Sequence, residues 1–221
     1  REKSLALVKL AEQQNFKALV ITIDSPHSGI RDRERRVFFQ LPEGMQHPHT
    51  PAHIPLPEIG EDQHPVFNSL MQIAPKWDDI QWIIANTSLP VILKGVAHPK
   101  DAELAIQSGV QGLIISNHGG RVLDSCISPL TALQRIKAVV PQDFPLIVDG
   151  GIRRGTDIFK AIALGASAVC IGRPYIHGLA VAGALGVAHV IKILKEEFEI
   201  TMALAGTATL NEITSDYIFH K

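Results

Sequence analysis

Cysteine is nearly absent: Cys126 and Cys170 are the only 2 in 221 residues. That is too few for a disulfide framework, which excludes the small stapled secreted folds and favours a reducing, cytoplasmic setting. Surplus charge is missing as well. Lys and Arg number 21 against 22 Asp and Glu, a formal charge of −1, so there is no electrostatic footprint for nucleic acid or an anionic membrane. The densest basic stretch, Arg31 to Arg36, is broken by Asp32 and Glu34 and by itself describes a solvated helix start or loop. Long apolar runs are missing too. The longest, Gly178 to Ala188, stops well short of the ~20 residues that span a bilayer. No secretory leader is visible, and because the chain opens on Arg1 and not on Met, a native start further upstream is expected. What remains is an ordinary globular composition, 46% hydrophobic and 19% charged, over a length suited to a single domain spanning 1–221.

The informative feature is how the apolar runs end. Five of them stop on charged or phosphate-friendly residues: Asp24 (ALVITID), Lys94 (PVILK), Ser116 to His118 (GLIISNH), Asp149 (PLIVDGG) and Gly172-Arg173 (AVCIGR). Short runs of this kind are expected of parallel strands buried on both faces. They predict strands over Ala18–Asp24, Pro90–Lys94, Gly112–Ser116, Pro145–Asp149 and Ala168–Gly172. Helical spacing fills the intervals at Ser4–Gln14, Trp77–Asn86, Pro99–Ser108, Ser128–Val139 and Thr156–Leu164, the fourth opened by the Ser128-Pro129 cap. A long helix follows over Tyr175–Glu197, where Gly178, Gly183 and Gly186 permit close packing or a break, and a short surface helix is expected over Leu210–Tyr217. This alternation predicts an α/β fold with a parallel sheet. Five strands cannot supply the eight of a closed barrel, but the C-terminal strand ends of such a fold share one face, where ligands collect.

Between the first strand and the regular part lies 27–75, rich in proline and histidine and poor in periodicity. A connection this long predicts a mobile lid. His47, His49 and His53 within it superficially resemble a metal set. Pro48, Pro51 and Pro55 separate them and no cysteine or carboxylate stands in register, so solvated histidines, and no metal, are expected.

The strand-end residues suggest chemistry. In Asp149-Gly150-Gly151-Ile152-Arg153-Arg154-Gly155 and Gly172-Arg173, glycines let backbone N–H groups approach an anion and the following helix adds its N-terminal charge. Two such loops after successive late strands are the phosphate-binding arrangement of barrels, although either alone could be a plain turn. His118 is placed to act as a general base, for which Asp24 could be the orienting partner. Arg121 and Arg31 could grip a carboxylate in the forked geometry that lysine cannot reproduce, the bland alternative for Arg31 being an ion pair with Asp32 or Glu34. The charge of Lys94 at the end of an apolar strand calls for an anion or an electron-rich ring. A Schiff-base role is the competing use, but that chemistry needs neither His118 nor the arginines. Cys170, inside a strand, reads as a small buried hydrophobe.

Taken in order, Thr22-Ile23-Asp24-Ser25-Pro26 through Gly29-Ile30-Arg31, Leu93-Lys94-Gly95, Ser116-Asn117-His118-Gly119-Gly120-Arg121, Asp149 to Gly155, Gly172-Arg173-Pro174 and Met202 to Gly206 resemble the FMN-dependent L-2-hydroxy acid oxidases and dehydrogenases. The resemblance implies a partial (β/α)8 TIM barrel comprising strands four to eight, with the first three strands lying before Arg1. It implies FMN as cofactor and oxidation of a short L-2-hydroxy acid, lactate or glycolate in class, to the 2-oxo acid, with O2 as the acceptor. His118 would be the base and Asp24 its partner, with Arg31 and Arg121 as carboxylate clamps. Lys94 would stabilise negative charge on the reduced ring, in the manner of an oxyanion site. Thr22 and Ser116 would contact the flavin. Asp149, Gly150, Gly151, Ile152 and Arg153 would hold the ribityl chain and phosphate, which Gly172 and Arg173 complete. A complete chain is expected to form a homo-oligomer. Two departures stand out. Arg33 to Phe39 lacks the family's asparagine, Val37 falling near that position. The larger is at the front, where the two family tyrosines that bind the substrate and flavin face and the glutamine that contacts the ring are missing with the first three strands. Two other readings stay open, a catalytically silent barrel fragment that needs its missing segment and a non-redox phosphate-binding barrel.

Overall fold

Parallel pairing joins the apolar runs into one sheet of 5 strands in uninterrupted chain order. The computed structural model describes residues 1–27, 29–38, 40, 42–45 and 58–219. In it β1 is Leu19–Thr22, β2 Val91–Val96, β3 Gly112–Ile115, β4 Leu146–Asp149 and β5 Ala168–Cys170. The register runs Thr22↔Lys94, Lys94↔Ile114, Ile115↔Val148 and Asp149↔Cys170. With no reversal of order there is no switch point of a doubly wound sheet, and the fold is a sector of a β/α barrel.

Helices cover one face. α1 (Glu2–Gln13) precedes β1, and α2 (Asp32–Arg36), α3 (Met71–Ile73) and α4 (Trp77–Ala85) lie between β1 and β2. α5 (Pro99–Gln107), α6 (Pro129–Lys137) and α7 (Gly155–Ala163) follow β2, β3 and β4, and α8 (Arg173–Ala205) follows β5. The core lies between sheet and helices, where Leu93, Leu113, Ile115, Leu133, Ile136, Leu146 and Val148 are fully buried. All 4 residues of β3 are buried, as a central parallel strand requires. Along β1, β2 and β4 burial alternates instead, so Val20, Thr22, Ile92, Lys94, Ile147 and Asp149 share the less covered face. The rims of the sheet are β1 and β5, and Val20 on β1 is 51% exposed.

Four sequence expectations need correcting. The first is β2, which does not end at Lys94 but runs to Val96 across a register shift, Gly95 being the extra residue at φ +103°. The second is the 27–75 segment. Among its described residues the ends differ from a plain loop, with α2 near the start and a π-helical turn, Val66–Leu70, leading into α3 near the end. His47, His49 and His53 lie outside the described residues, and among the described residues no cluster could hold a metal. The third is the terminal helix over Leu210–Tyr217, which is two single 3₁₀ turns, Leu210–Glu212 and Ser215–Tyr217. The fourth is the long helix. It extends from Arg173 to Ala205 and breaks at Ala182–Gly183, where Gly183 takes φ +59°. By length and composition alone α8 is apolar enough to cross a bilayer, which the Gly178–Ala188 run by itself did not suggest. Its second part packs Phe198, Met202 and Ala205 against Phe159 and Ala163 of α7.

α1 is tied to the segment before β2 by one carboxylate. Glu12 accepts hydrogen bonds from the Thr87 hydroxyl and the Ser88 N–H, both at 2.9 Å, and pairs with Lys9 at 2.8 Å. The Lys9 hydrogen bond foremost, then Ser88 and Thr87, pull its pKa down from 4.5 to about 2. A depressed carboxylate stabilises the fold above its unfolded pKa and loses that contribution as the pH falls through the folded one. Glu12→Gln is therefore expected to lower the urea midpoint at neutral pH. Parent and variant should converge as the pH drops from 4.5 toward 2, read as urea midpoints across an acid series.

Candidate active site at the strand ends

Because every strand is parallel, the polar residues that end them meet on one side. Lys94 and Asp149 share the less covered face, and Lys94 Nζ lies 2.8 Å from Asp149 Oδ2. The same ammonium donates to Ser116 Oγ at 3.0 Å, and Ser116 Oγ in turn accepts from the His118 backbone N–H at 3.0 Å. His118 Nδ1 lies 3.0 Å from Asp24 Oδ1. A continuous polar chain thus runs from Asp24 through His118, Ser116 and Lys94 to Asp149, drawn from the ends of β1, β2, β3 and β4.

Local backbone geometry sets this up. His118, Gly119 and Gly120 take φ of +54°, +66° and +71°, a left-handed turn that projects the imidazole off the end of β3. For histidine that region costs ~1–2 kcal/mol, strain of the kind that collects at functional sites. Gly95 makes room for Asp24: a Cβ there would sit 2.5 Å from Asp24 Cβ and Cγ. The bulge and its missing side chain therefore position the carboxylate that holds His118.

The two arginines also converge. A Cβ on Gly29 would lie 2.3 Å from the Val122 carbonyl oxygen, so the segment bearing Arg31 and the segment bearing Arg121 are packed backbone to backbone. Arg31 Nη1 lies 3.0 Å from Glu34 Oε2, and Arg121 Nη2 lies 3.1 Å from Glu34 Oε1. Of the two partners weighed for Arg31, Glu34 is the one it takes. The hydrogen bond from Arg31 first, then that from Arg121, holds the Glu34 carboxyl below the usual range.

At the glycine-rich loops the start of α7 already has partners within the chain. The backbone N–H groups of Arg153 and Arg154 both donate to Asp157 Oδ2 at 3.0 Å, and Gly155 N donates to Glu197 Oε2 at 2.9 Å. The N-terminus of α7 is thus satisfied by carboxylates of its own chain, so it does not offer these N–H groups to a phosphate. Glu197 also pairs with Arg154 at 2.9 Å. The open positions are elsewhere: a Cβ on Gly151 (φ +83°) or on Gly172 would meet no atom within 4 Å. Arg173 reaches the same region, donating from Nη2 to the Gly119 carbonyl. Ile152 is buried, so only its backbone could serve a ligand, while Thr22 is exposed beside Lys94. Cys170 is half-buried, less so than its strand suggested. Burial, then the Asp149 carboxylate, pushes its thiol pKa up, so it stays protonated.

Among the described residues, the buried side-chain polar atoms without a hydrogen-bond partner are Asp24 Oδ2, Arg31 Nε and Asp149 Oδ1. Buried polar atoms are almost always paired, and exceptions call for an explanation. All three belong to residues that the sequence singled out. Asp24 Oδ2 and Asp149 Oδ1 can accept from donors on a ligand, and Arg31 Nε can donate to a carboxylate. The unfilled space at Gly151 and Gly172 leaves room for a phosphate, completing a set that fits a flavin mononucleotide beside a small acid.

A family profile described as FMN-dependent dehydrogenase matches residues 1–220. The chain is 45% identical over 223 residues to an L-lactate oxidase of Roseobacter sp. (strain GAI101), covering 98% of this chain and 59% of that protein. It is 42% identical over 219 residues to a 2-hydroxyacid oxidase of Dictyostelium discoideum, covering 99% and 56%. A crystal structure of mandelate oxidase with 3,3-difluoro-2-hydroxy-3-phenylpropionic acid superposes with a TM-score of 0.80 at 37% identity, over 96% of this chain and 58% of that one. A mandelate oxidase variant solved with an FMN adduct matches with a TM-score of 0.80 at 36% identity, over 96% and 58%. The chain thus spans less than two thirds of the length of these relatives.

Proposed function

The chain belongs to the FMN-dependent dehydrogenase family, and from that premise we propose that it carries the catalytic face of an enzyme that oxidises a short L-2-hydroxy acid to its 2-oxo acid. The substrate class is that of lactate or glycolate, in line with the 45% identity to an L-lactate oxidase, and O2 is the final electron acceptor. The observation that carries the reading is the His118 Nδ1 to Asp24 Oδ1 contact at 3.0 Å, on the same face as the Lys94–Asp149 pair.

FMN, when bound, supplies the two-electron acceptor that the conversion of a hydroxyl to a carbonyl requires. The residues that would hold it are Thr22, Lys94, Ser116, Asp149, the backbone from Gly150 to Ile152, the Arg153 side chain, Gly172 and Arg173. With Nδ1 engaged by Asp24, His118 has Nε2 left to take the hydroxyl proton of the substrate. Asp24 fixes the tautomer that makes Nε2 the acceptor, and its charge stabilises the imidazolium that forms. Arg31 and Arg121 hold the substrate carboxylate, which turns the hydroxyl toward His118. Lys94 keeps a fixed positive charge where negative charge would develop, oriented by Asp149 and Ser116 so that little rearrangement accompanies the reaction.

The test is spectroscopic. Protein reconstituted with FMN is expected to be yellow and to bleach on anaerobic addition of L-lactate or glycolate, regaining colour on exposure to air. A yellow protein that no 2-hydroxy acid bleaches would support a non-redox phosphate site. A colourless protein would support a barrel sector that needs a further segment to retain its cofactor, the reading favoured by the exposed rims β1 and β5.

A further inference from the structure

The contact between Glu34 and the two arginines is more than a helix-surface ion pair. The Arg31 half follows from i,i+3 spacing at the start of α2. The Arg121 half does not, because that guanidinium arrives from the end of β3, 87 positions away in sequence. Each carboxylate oxygen of Glu34 serves one guanidinium, Oε2 for Arg31 and Oε1 for Arg121. That is the arrangement a small carboxylate would need in a two-arginine clamp. On the Arg31 side, Arg31 and Glu34 line an open cleft of about 580 Å³ together with Gly29, Arg35, Phe38 and Gln40, room enough for a small acid beside Arg31.

Resting on the clamp role given above to Arg31 and Arg121, we infer that Glu34 is an internal competitor. Its side chain occupies the carboxylate clamp in the resting protein, and a substrate carboxylate must displace it, so Glu34 sets the affinity for small 2-hydroxy acids. Three features make displacement feasible. Glu34 is 46% exposed, and exposed ion pairs are weak, so a small anion can compete. The arginine-bearing segments are joined by the Gly29–Val122 backbone packing and do not depend on Glu34 to stay together. Arg31 Nε is buried and unpartnered, which leaves the clamp a donor that Glu34 does not use.

An occupied clamp lowers apparent affinity by the fraction of molecules in which it is closed. Freeing it is therefore expected to tighten carboxylate binding by about threefold to tenfold, the scale of a pair of exposed ion pairs. The experiment is isothermal titration of the FMN-reconstituted full chain with propionate, a carboxylate with no hydroxyl to oxidise. Propionamide, its neutral counterpart, is the control at matched ionic strength. Both Glu34→Gln and Glu34→Ala should bind propionate more tightly than the parent, with propionamide unaffected and the thermal midpoint preserved. Unchanged or weaker propionate binding in both variants overturns the inference, because a residue that merely braces the arginines would weaken binding on removal. Arg121→Lys separates the two levels of argument. If it weakens binding while the Glu34 variants fail to tighten it, only the competitor role falls. If it binds as the parent does, or no protein in the series binds propionate, the clamp itself falls and the inference with it.

Discussion

A His118→Gln protein is expected to keep its fold and its FMN while losing about 10²–10⁴-fold in the rate of flavin reduction by L-lactate, the usual scale for removing a positioned general base. Glutamine can still reach toward Asp24 but cannot accept a proton at neutral pH. The backbone strain at φ +54° is common to both residues, since each carries a Cβ, so it should not confound the comparison. Asp24→Asn should also slow reduction, because the partner that fixes the tautomer and balances the imidazolium is lost. The readout is anaerobic stopped-flow bleaching of the flavin, with retained yellow colour as the binding control. Undiminished reduction in His118→Gln would mean that the proton goes elsewhere.

A large loss of stability is expected from a side chain at Gly155, where α7 begins against α8. A Cβ there would stand 2.1 Å from Phe198 N and 2.2 Å from the Glu197 carbonyl carbon. Both are backbone atoms of a helix and cannot rotate away. Glu197 also accepts the Gly155 N–H at 2.9 Å, so separating the two helices would break the cap that closes α7. Overpacking of a buried contact costs about 1–3 kcal/mol, and because the obstruction is main chain the upper end, about 3 kcal/mol, is expected for Gly155→Ala. Urea unfolding should show this as a lowered midpoint. Gly60→Ala, at a position where a Cβ meets no atom within 4 Å, should stay within about 0.5 kcal/mol of the parent. A midpoint for Gly155→Ala equal to that of Gly60→Ala would mean that α8 is not docked as described.

What the sequence disclosed follows physical range. Strands buried on both faces leave a local signature, and all five were readable to within a few residues, as were the Ser128 cap and the start of α6. The pairing of His118 with Asp24 and the placement of Lys94 could be expected from strand ends that share a face. Three kinds of feature were not legible. Whether Asp32–Arg36 is helix start or loop stays open in the sequence, because 5 residues without an apolar stripe give periodicity nothing to detect. The Gly95 bulge is visible only once Asp24 is seen behind it. Glu34 on Arg121 and Glu197 on Gly155 span 87 and 42 positions, and no local pattern marks a carboxylate that will cap or bridge at such a distance. The family resemblance supplied the phosphate-binding loops but not the finding that α7 satisfies its own N-terminus through Asp157 and Glu197.

The sheet described above has unlike rims, β1 at one side and β5 at the other, with every strand pointing the same way. Joining β5 of one molecule to β1 of the next would continue the parallel ladder in the same sense. Such a head-to-tail junction is heterologous and lacks the two-fold reciprocity that stops growth at a pair. Left uncovered, the rims would make self-association a stepwise polymerisation, visible in sedimentation as a concentration-dependent ladder of species and suppressed by a lysine or proline placed on either rim.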